Sequence, residues 1–237
     1  AETTTTNWYV ISGDYPPQAC NSLEEEEDVV FAQFLQGCGG NMNPKIHGLF
    51  DVTRRFGRLL AEPVKEAYNG IKTQSVVPLK MITRTVHLPY GDIPTSAAID
   101  SILAAEELKF SKQPAGSYIP RNLDWAREAK RALESGEEFI TKEASIQGIE
   151  IGDIKIVTLP GEVFMEIGKA IKKEVGGEVM VLGYCNNGEV GYIPTAEQFP
   201  LGGYEVQNAP MYYNLFQWSP AIEEYLVTEA VRMMKAL

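Results

Sequence analysis

Two segments in the last third of the chain set oxygen-bearing side chains where a metal or a polar substrate could reach them. One runs Leu159-Pro160-Gly161-Glu162-Val163-Phe164-Met165-Glu166-Ile167-Gly168. The other is Gly191-Tyr192-Ile193-Pro194-Thr195-Ala196-Glu197, continuing to Gly202-Gly203-Tyr204-Glu205. Glu162 follows an apolar run and a Pro-Gly turn and opens a helical pattern. A carboxylate in a first helical turn complements the helix dipole. The same place, a strand-to-helix turn at the carboxyl edge of a sheet, is also where α/β proteins assemble sites. Tyr192 and Tyr204 are ordinary packing residues by type. Their glycine neighbours leave the hydroxyls accessible, and a phenol oxygen on a cation ionises more readily.

A third candidate is the loop Gly37-Cys38-Gly39-Gly40-Asn41-Met42-Asn43-Pro44. It is either a tight structural turn or a place where backbone N–H groups face an anion or oxyanion. No Gly-Lys-Ser/Thr follows it, and no Gly-x-Ser-x-Gly elbow occurs in the chain. Of the two histidines, His87 lies in an apolar strand pattern and reads as a core or edge residue. His47, just after the loop, is the better ligand candidate. No His-x-His, no His-Glu-x-x-His and no Ser/His/Asp set can be assembled, so a zinc site would be short of nitrogen ligands. Three cysteines, Cys20, Cys38 and Cys185, without a Cys-x-x-Cys, support neither a disulfide framework nor a zinc knuckle. One disulfide plus a free thiol stays open, and so does the compartment.

These residues need elements to hold them. Trp8–Ile11 reads as a strand closed by the turn residues Gly13–Pro17. Val29–Leu35 reads as a buried strand leading into the glycine loop. Asp51–Tyr68 has apolar residues at helical spacing, with Pro63 expected to kink or shorten it. A β-branched strand lies within Val76–Leu88, and helices follow near Ser96–Leu108 and Leu123–Leu133. Ile149–Ile156 alternates on both sides of Gly152-Asp153, a hairpin signature. Glu162–Val175 is an amphipathic helix with Phe164, Ile167, Ile171 and Val175 as its apolar stripe, stopped by Gly176-Gly177. Val179–Gly183 is a short buried strand, and Ser219-Pro220 starts a final helix. The class is α/β or α+β: a mixed β-sheet covered by helices, read as one unit over residues 1–237.

Composition removes whole classes of partner. The net charge of −11 argues against nucleic acid and against docking on anionic lipid. The hydrophobic share of 44% belongs to a globular chain, and no apolar run approaches the ~18 residues of a membrane span. Ala1–Thr6 shows no signal-peptide pattern, although such a leader is removed on maturation. The acidic block Glu24–Asp28 reads as a solvated turn, since no Asp-x-Asp-x-Asp-Gly calcium loop is present.

Taken as a set, Ile11-Ser12-Gly13-Asp14-Tyr15-Pro16, the block Gln33–Pro44, Pro160-Gly161-Glu162, Gly191-Tyr192-Ile193-Pro194-Thr195 and Tyr204-Glu205 resemble the neutral, non-lysosomal ceramidases. The resemblance runs from about Tyr9 to Asn208 and is carried by the order and spacing of the blocks. It implies part of a layered α/β sandwich and a zinc-dependent amidase that cleaves the N-acyl bond of ceramide. It maps a metal-binding glutamate onto Glu162, a metal-binding tyrosine onto Tyr192 and an oxyanion-stabilising tyrosine onto Tyr204. The spacing of the two tyrosines (204 − 192 = 12) fits the family pattern. The family's zinc histidines precede the Gly-Asp-Tyr-Pro segment, and neither His47 nor His87 matches them. Where the family's loop carries an aspartate and a serine, this chain has Asn41 and Asn43. Asparagine donates a hydrogen bond to an oxyanion but is no alcohol nucleophile.

The leading expectation is therefore a ceramidase-like, metal-dependent hydrolase, with metal-bound water rather than a serine as nucleophile. Glu162 and Tyr192 are its zinc ligands. Tyr204, Asn41 and Asn43 are its catalytic-site residues. The histidines would come from a preceding segment or a second chain. The substrate would be a small or lipid-like amide, and the resemblance leans towards a secreted or periplasmic setting. The alternative is a degenerate, non-catalytic binding or assembly module. A third reading is an α/β enzyme that binds an anion at Gly37–Pro44 without a metal.

Overall fold

The computed structural model describes residues 3, 10–72, 78–186 and 188–237. Its centre is a four-stranded mixed sheet in the order β1-β2-β3-β5. Strands β1 (Leu79–Pro89) and β2 (Thr141–Ile151) pair antiparallel along their whole length, from Leu79↔Ile151 to Pro89↔Thr141. The Gly152-Asp153 turn, with Gly152 at φ 58°, folds β2 back onto β3 (Ile154–Pro160) as the alternation predicts. β5 (Val179–Cys185) then lies parallel to β3.

Between β3 and β5 the chain forms a two-residue strand, β4 (Glu162–Val163), and helix α5 (Met165–Val175). Ile167 and Ile171 of α5 are fully buried, each worth roughly 1.5–3 kcal/mol of burial. Helix α7 (Ile222–Met234) packs beside α5 and across β1 and β2. Gly148 on β2 makes that approach possible, because a methyl there would come within 2.8 Å of the Met234 sulfur. Both helices lie on the face carrying Val86, Leu88, Ala144, Ile146, Val157, Leu159 and Val181, which form one buried core with Ile222 and Leu226.

Among the described residues, nothing covers the opposite face in this way. Leu79, Met81, Ile151, Ile154 and Met180 share it by register and are between 38% and 68% exposed. Period-two strands with a polar solvent face are the usual antiparallel pattern; here much of the outer face is apolar as well.

Helices α3 (Ser96–Phe110) and α4 (Arg121–Glu134) build a second cluster from Ile99, Trp125, Ala126, Ala129 and Phe216. Tyr90 joins the clusters, its ring stacked on Trp218 at 4.9 Å. Near the N-terminus, α1 (Tyr15–Glu24) packs on α2 (Phe50–Tyr68).

Several expectations change. Trp8 and Tyr9 lie outside the described residues, while Val10 and Ile11 are exposed and outside any strand. Val29–Leu35 is not a buried strand: Val30 is 97% exposed and Phe31 73%. No described residue offers it a ladder until Gly37 bridges to Leu182, so apolar content alone does not bury it. Gly13–Pro17 is a helix start rather than a turn. Asp14 accepts the Tyr15 N–H at 2.7 Å, and the prolines occupy the first turn, where no amide donor is needed. Pro63 does not shorten α2, which runs on to Tyr68. The last helix starts at Ile222, after a Ser219 turn whose hydroxyl accepts the Ala221 N–H at 3.2 Å. The helix expected from Glu162 starts at Met165, because Glu162 and Val163 are drawn into pairing with Tyr192 and Ile193.

Candidate active site

That pairing builds the site. β4 runs parallel to β6 (Tyr192–Ile193) in the register Glu162↔Tyr192 and Val163↔Ile193. Neighbouring strands lie about 4.8 Å apart, so a carboxylate and a phenol distant in sequence stand side by side. Backbone bonds lock the register: Glu162 N–H donates to Gly191 O at 2.7 Å and Phe164 N–H to Ile193 O at 3.0 Å. Gly161, at φ 70°, permits this approach, since a methyl there would run into the Gly191 carbonyl oxygen. The Trp218 indole N–H holds the Tyr192 carbonyl at 2.9 Å.

Around Glu162 the hydroxyls converge. Tyr213 donates to its Oε1 at 2.9 Å. The Tyr184 and Tyr192 phenols lie close enough to feel the charge of the same carboxylate. Tyr204 sets its ring edge-on to Tyr192 at 5.9 Å and is half-exposed. Burial, followed by the Glu162 charge, pushes the Tyr184 and Tyr192 phenols well above their ordinary range. Burial and the hydrogen bond to Glu162 raise Tyr213 to about 12. Burial also raises Tyr204, with Tyr212 and Glu162 adding to the effect. The raised phenols keep their protons, and Tyr213 donates its own to the carboxylate.

The glycine loop backs this pair. Gly40 N–H donates to Val163 O at 2.9 Å, and a side chain at Gly40 would collide with the Glu162 carbonyl. Asn41 caps α5 from a distant part of the chain: its Oδ1 accepts the Met165 N–H at 2.9 Å and its Nδ2 donates to Glu166 at 2.7 Å. Helix α5 needs that help, because Phe164 at its own cap position has no side-chain acceptor. Asn43 is exposed further along the loop. Two of the loop's N–H groups are taken by protein carbonyls, Gly40 by Val163 and Met42 by Gly39. An anion nest built on those amides is therefore not available.

The structure brings together three residues that the sequence reading named, Glu162, Tyr192 and Tyr204, and adds Tyr213 and Tyr184, which that reading did not single out. Tyr184 carried one usable signal, a glycine before it at a strand end, the same signal that drew attention to Tyr192. Tyr213 carried none beyond its type.

Among the described residues, no group of three or more His, Cys, Asp or Glu could hold a metal. His87 sits exposed on the outermost strand of the sheet, and His47 is exposed after the glycine loop. The cysteines are free thiols, with burial raising Cys38 to about 11.

The architecture recurs in solved ceramidases. It matches a neutral ceramidase from Pseudomonas aeruginosa with a TM-score of 0.60 at 17% identity, over 98% of this chain and 42% of that one. It also matches a ceramidase complexed with C2, with a TM-score of 0.58 at 16% identity, over 97% and 43%. At such identity the likeness is one of fold, as the sequence resemblance implied. The chain spans about two fifths of the length of each of these structures. No protein-family model and no curated protein matches the chain. No helix among the described residues is long and apolar enough to cross a membrane.

Proposed function

We propose that the chain is the oxygen-donor portion of a ceramidase-like hydrolase that cleaves an amide (N-acyl) bond with zinc. The observation that carries this reading is the Glu162↔Tyr192 register, with the Tyr204 ring against Tyr192. Zinc, when bound, would supply Lewis acidity towards the substrate carbonyl. Glu162 and Tyr192 hold two of its coordination positions. Tyr204, half-exposed beside them, donates a hydrogen bond to the oxygen that gains charge as the carbonyl is attacked. Asn43, exposed on the glycine loop, is the proposed second donor.

The nitrogen ligands come from outside this chain's described residues, on another segment or a second polypeptide. The bare apolar sheet face supports that partner, because a surface of this kind marks an interaction site more often than a solvent boundary. A small or lipid-like amide is the proposed substrate class.

The test compares zinc content and amide hydrolysis for the chain alone and for the chain completed by such a partner. The chain alone should take up zinc weakly and turn over nothing. In the completed protein, Glu162→Gln should lower kcat/KM by at least ~100-fold, the order of loss expected when a metal ligand or a key electrostatic contact is removed. Tight stoichiometric zinc in the chain alone, with a closed protein ligand set, would sink the reading. A second reading, a non-catalytic module, draws on the use of Asn41 as a helix cap. Under it, Glu162→Gln and Tyr192→Phe shift stability or association, and the completed protein hydrolyses no amide.

A further inference from the structure

We infer that Tyr213 and Tyr184 are positioning residues that fix the orientation of the Glu162 carboxylate. This deepens the proposed reading and rests on it for its purpose, presenting Glu162 beside Tyr192. It does not rest on it for its geometry.

Tyr213 comes from the turn after α6 (Ala209–Tyr212), far along the chain from β4. Its hydroxyl reaches Glu162 Oε1 at 2.9 Å. The ring is not held there by Glu162 alone. It lies against the backbone of Gly191, where a methyl would come within 2.8 Å of the ring. The same glycine carbonyl accepts the Glu162 N–H. One backbone position thus sets both the ring and the strand that carries its acceptor. With Oε1 tied to Tyr213, the carboxylate loses rotational freedom.

Tyr184, at the end of β5 with φ 59°, stands close enough to Glu162 that the carboxylate helps to raise its phenol. A residue with a large ring is rarely left-handed, and such outliers persist where surrounding structure over-determines them. Here it does. Tyr184 N–H donates to Gly161 O at 2.7 Å. Two residues on, the Asn186 amide donates to the carbonyls of Ser145 and Thr158 and to the Thr158 hydroxyl. The strand end is therefore pinned to β2, β3 and the Gly161 turn, which holds Tyr184 beside the residue that precedes Glu162. A glycine or asparagine would satisfy that backbone more readily, and neither carries a phenol.

The test uses Tyr213→Phe, Tyr184→Phe and the double variant, each keeping the ring and removing only the hydroxyl. Crystal structures of the full chain report where Glu162 points. Zinc titration by calorimetry reports the ligand's competence, and thermal melts report the fold. The expected result is a Glu162 side chain turned away or spread over conformers in the double variant, with a Tm close to the parent's. Zinc affinity should fall 10–100-fold, the usual loss when an outer partner of a metal ligand is removed. A merely structural role would lower Tm and leave Glu162 in place, and a Glu162 side chain unmoved in the double variant overturns the inference. If Glu162 moves while zinc uptake is the same in parent, double variant and Glu162→Gln, positioning stands and the zinc-ligand assignment fails.

Discussion

Gly161→Ala tests the geometry on which the site depends. Two effects act there. The first is the left-handed backbone, at φ 70°, which disfavours an L-residue by roughly 1–2 kcal/mol. The second is steric: the new methyl would overlap the Gly191 carbonyl oxygen and press on Val190. That oxygen cannot simply retreat, because it accepts the Glu162 N–H at 2.7 Å. Overpacking of this kind costs about 1–3 kcal/mol, and weakening the hydrogen bond adds about 1 kcal/mol. Gly176 provides the control. It has the same φ of 70°, and a methyl there meets nothing within 4 Å. Gly176→Ala should therefore show the backbone penalty alone, partly offset by ~0.4–1 kcal/mol from a less flexible unfolded chain. The difference between the two variants isolates the contact between β4 and β6, at about 2–4 kcal/mol. For a chain of this size that is roughly 4–16 °C in Tm, readable by urea titration or thermal melts. Equal destabilisation by the two alanines would refute the tight Gly161–Gly191 approach and, with it, the pairing of Glu162 with Tyr192.

Other outcomes follow from single contacts. Trp218→Phe removes the indole N–H that holds the Tyr192 carbonyl; a loss of about 1 kcal/mol is expected in denaturant titrations, with weaker zinc uptake beside it. Asn41→Ala should cost about 1 kcal/mol through lost capping of α5, and a zinc affinity equal to the parent's would mark its role as structural. Cys38 is held protonated by burial, with a folded pKa of about 11 against ~8.5 in an unfolded chain. The unfolded state releases this proton first, so stability falls as pH rises from about 9 to about 11. Cys38→Ala should flatten that slope in melts recorded across the window. Met81→Lys and Ile154→Lys place charge on the bare sheet face at exposed positions. Stability should change by less than ~0.5 kcal/mol, while binding of the polypeptide that completes the site drops sharply in a pull-down.

The sequence by itself determined most of the elements, because their signals are local. Alternation around Gly152-Asp153 gave the β2–β3 hairpin, helical spacing gave α2 to α5 within a few residues, and Gly176 ended α5 as expected. Glycine neighbours also mark Glu162, Tyr192 and Tyr204 in the chain itself, and these three do come together in space. Tertiary structure decided the rest. Whether Val29–Leu35 is buried depends on a partner strand that no local pattern encodes, and none of the described residues supplies one. Whether Glu162 starts a helix or joins a strand depends on Tyr192 lying beside it, a pairing of segments 30 residues apart (192 − 162 = 30). That Asn41 caps α5 became visible only when the fold brought it over the open end of that helix. Tyr184 and Tyr213 became visible only when three elements met at one carboxylate. Local propensity names the donors, and only long-range packing says which oxygen each one faces.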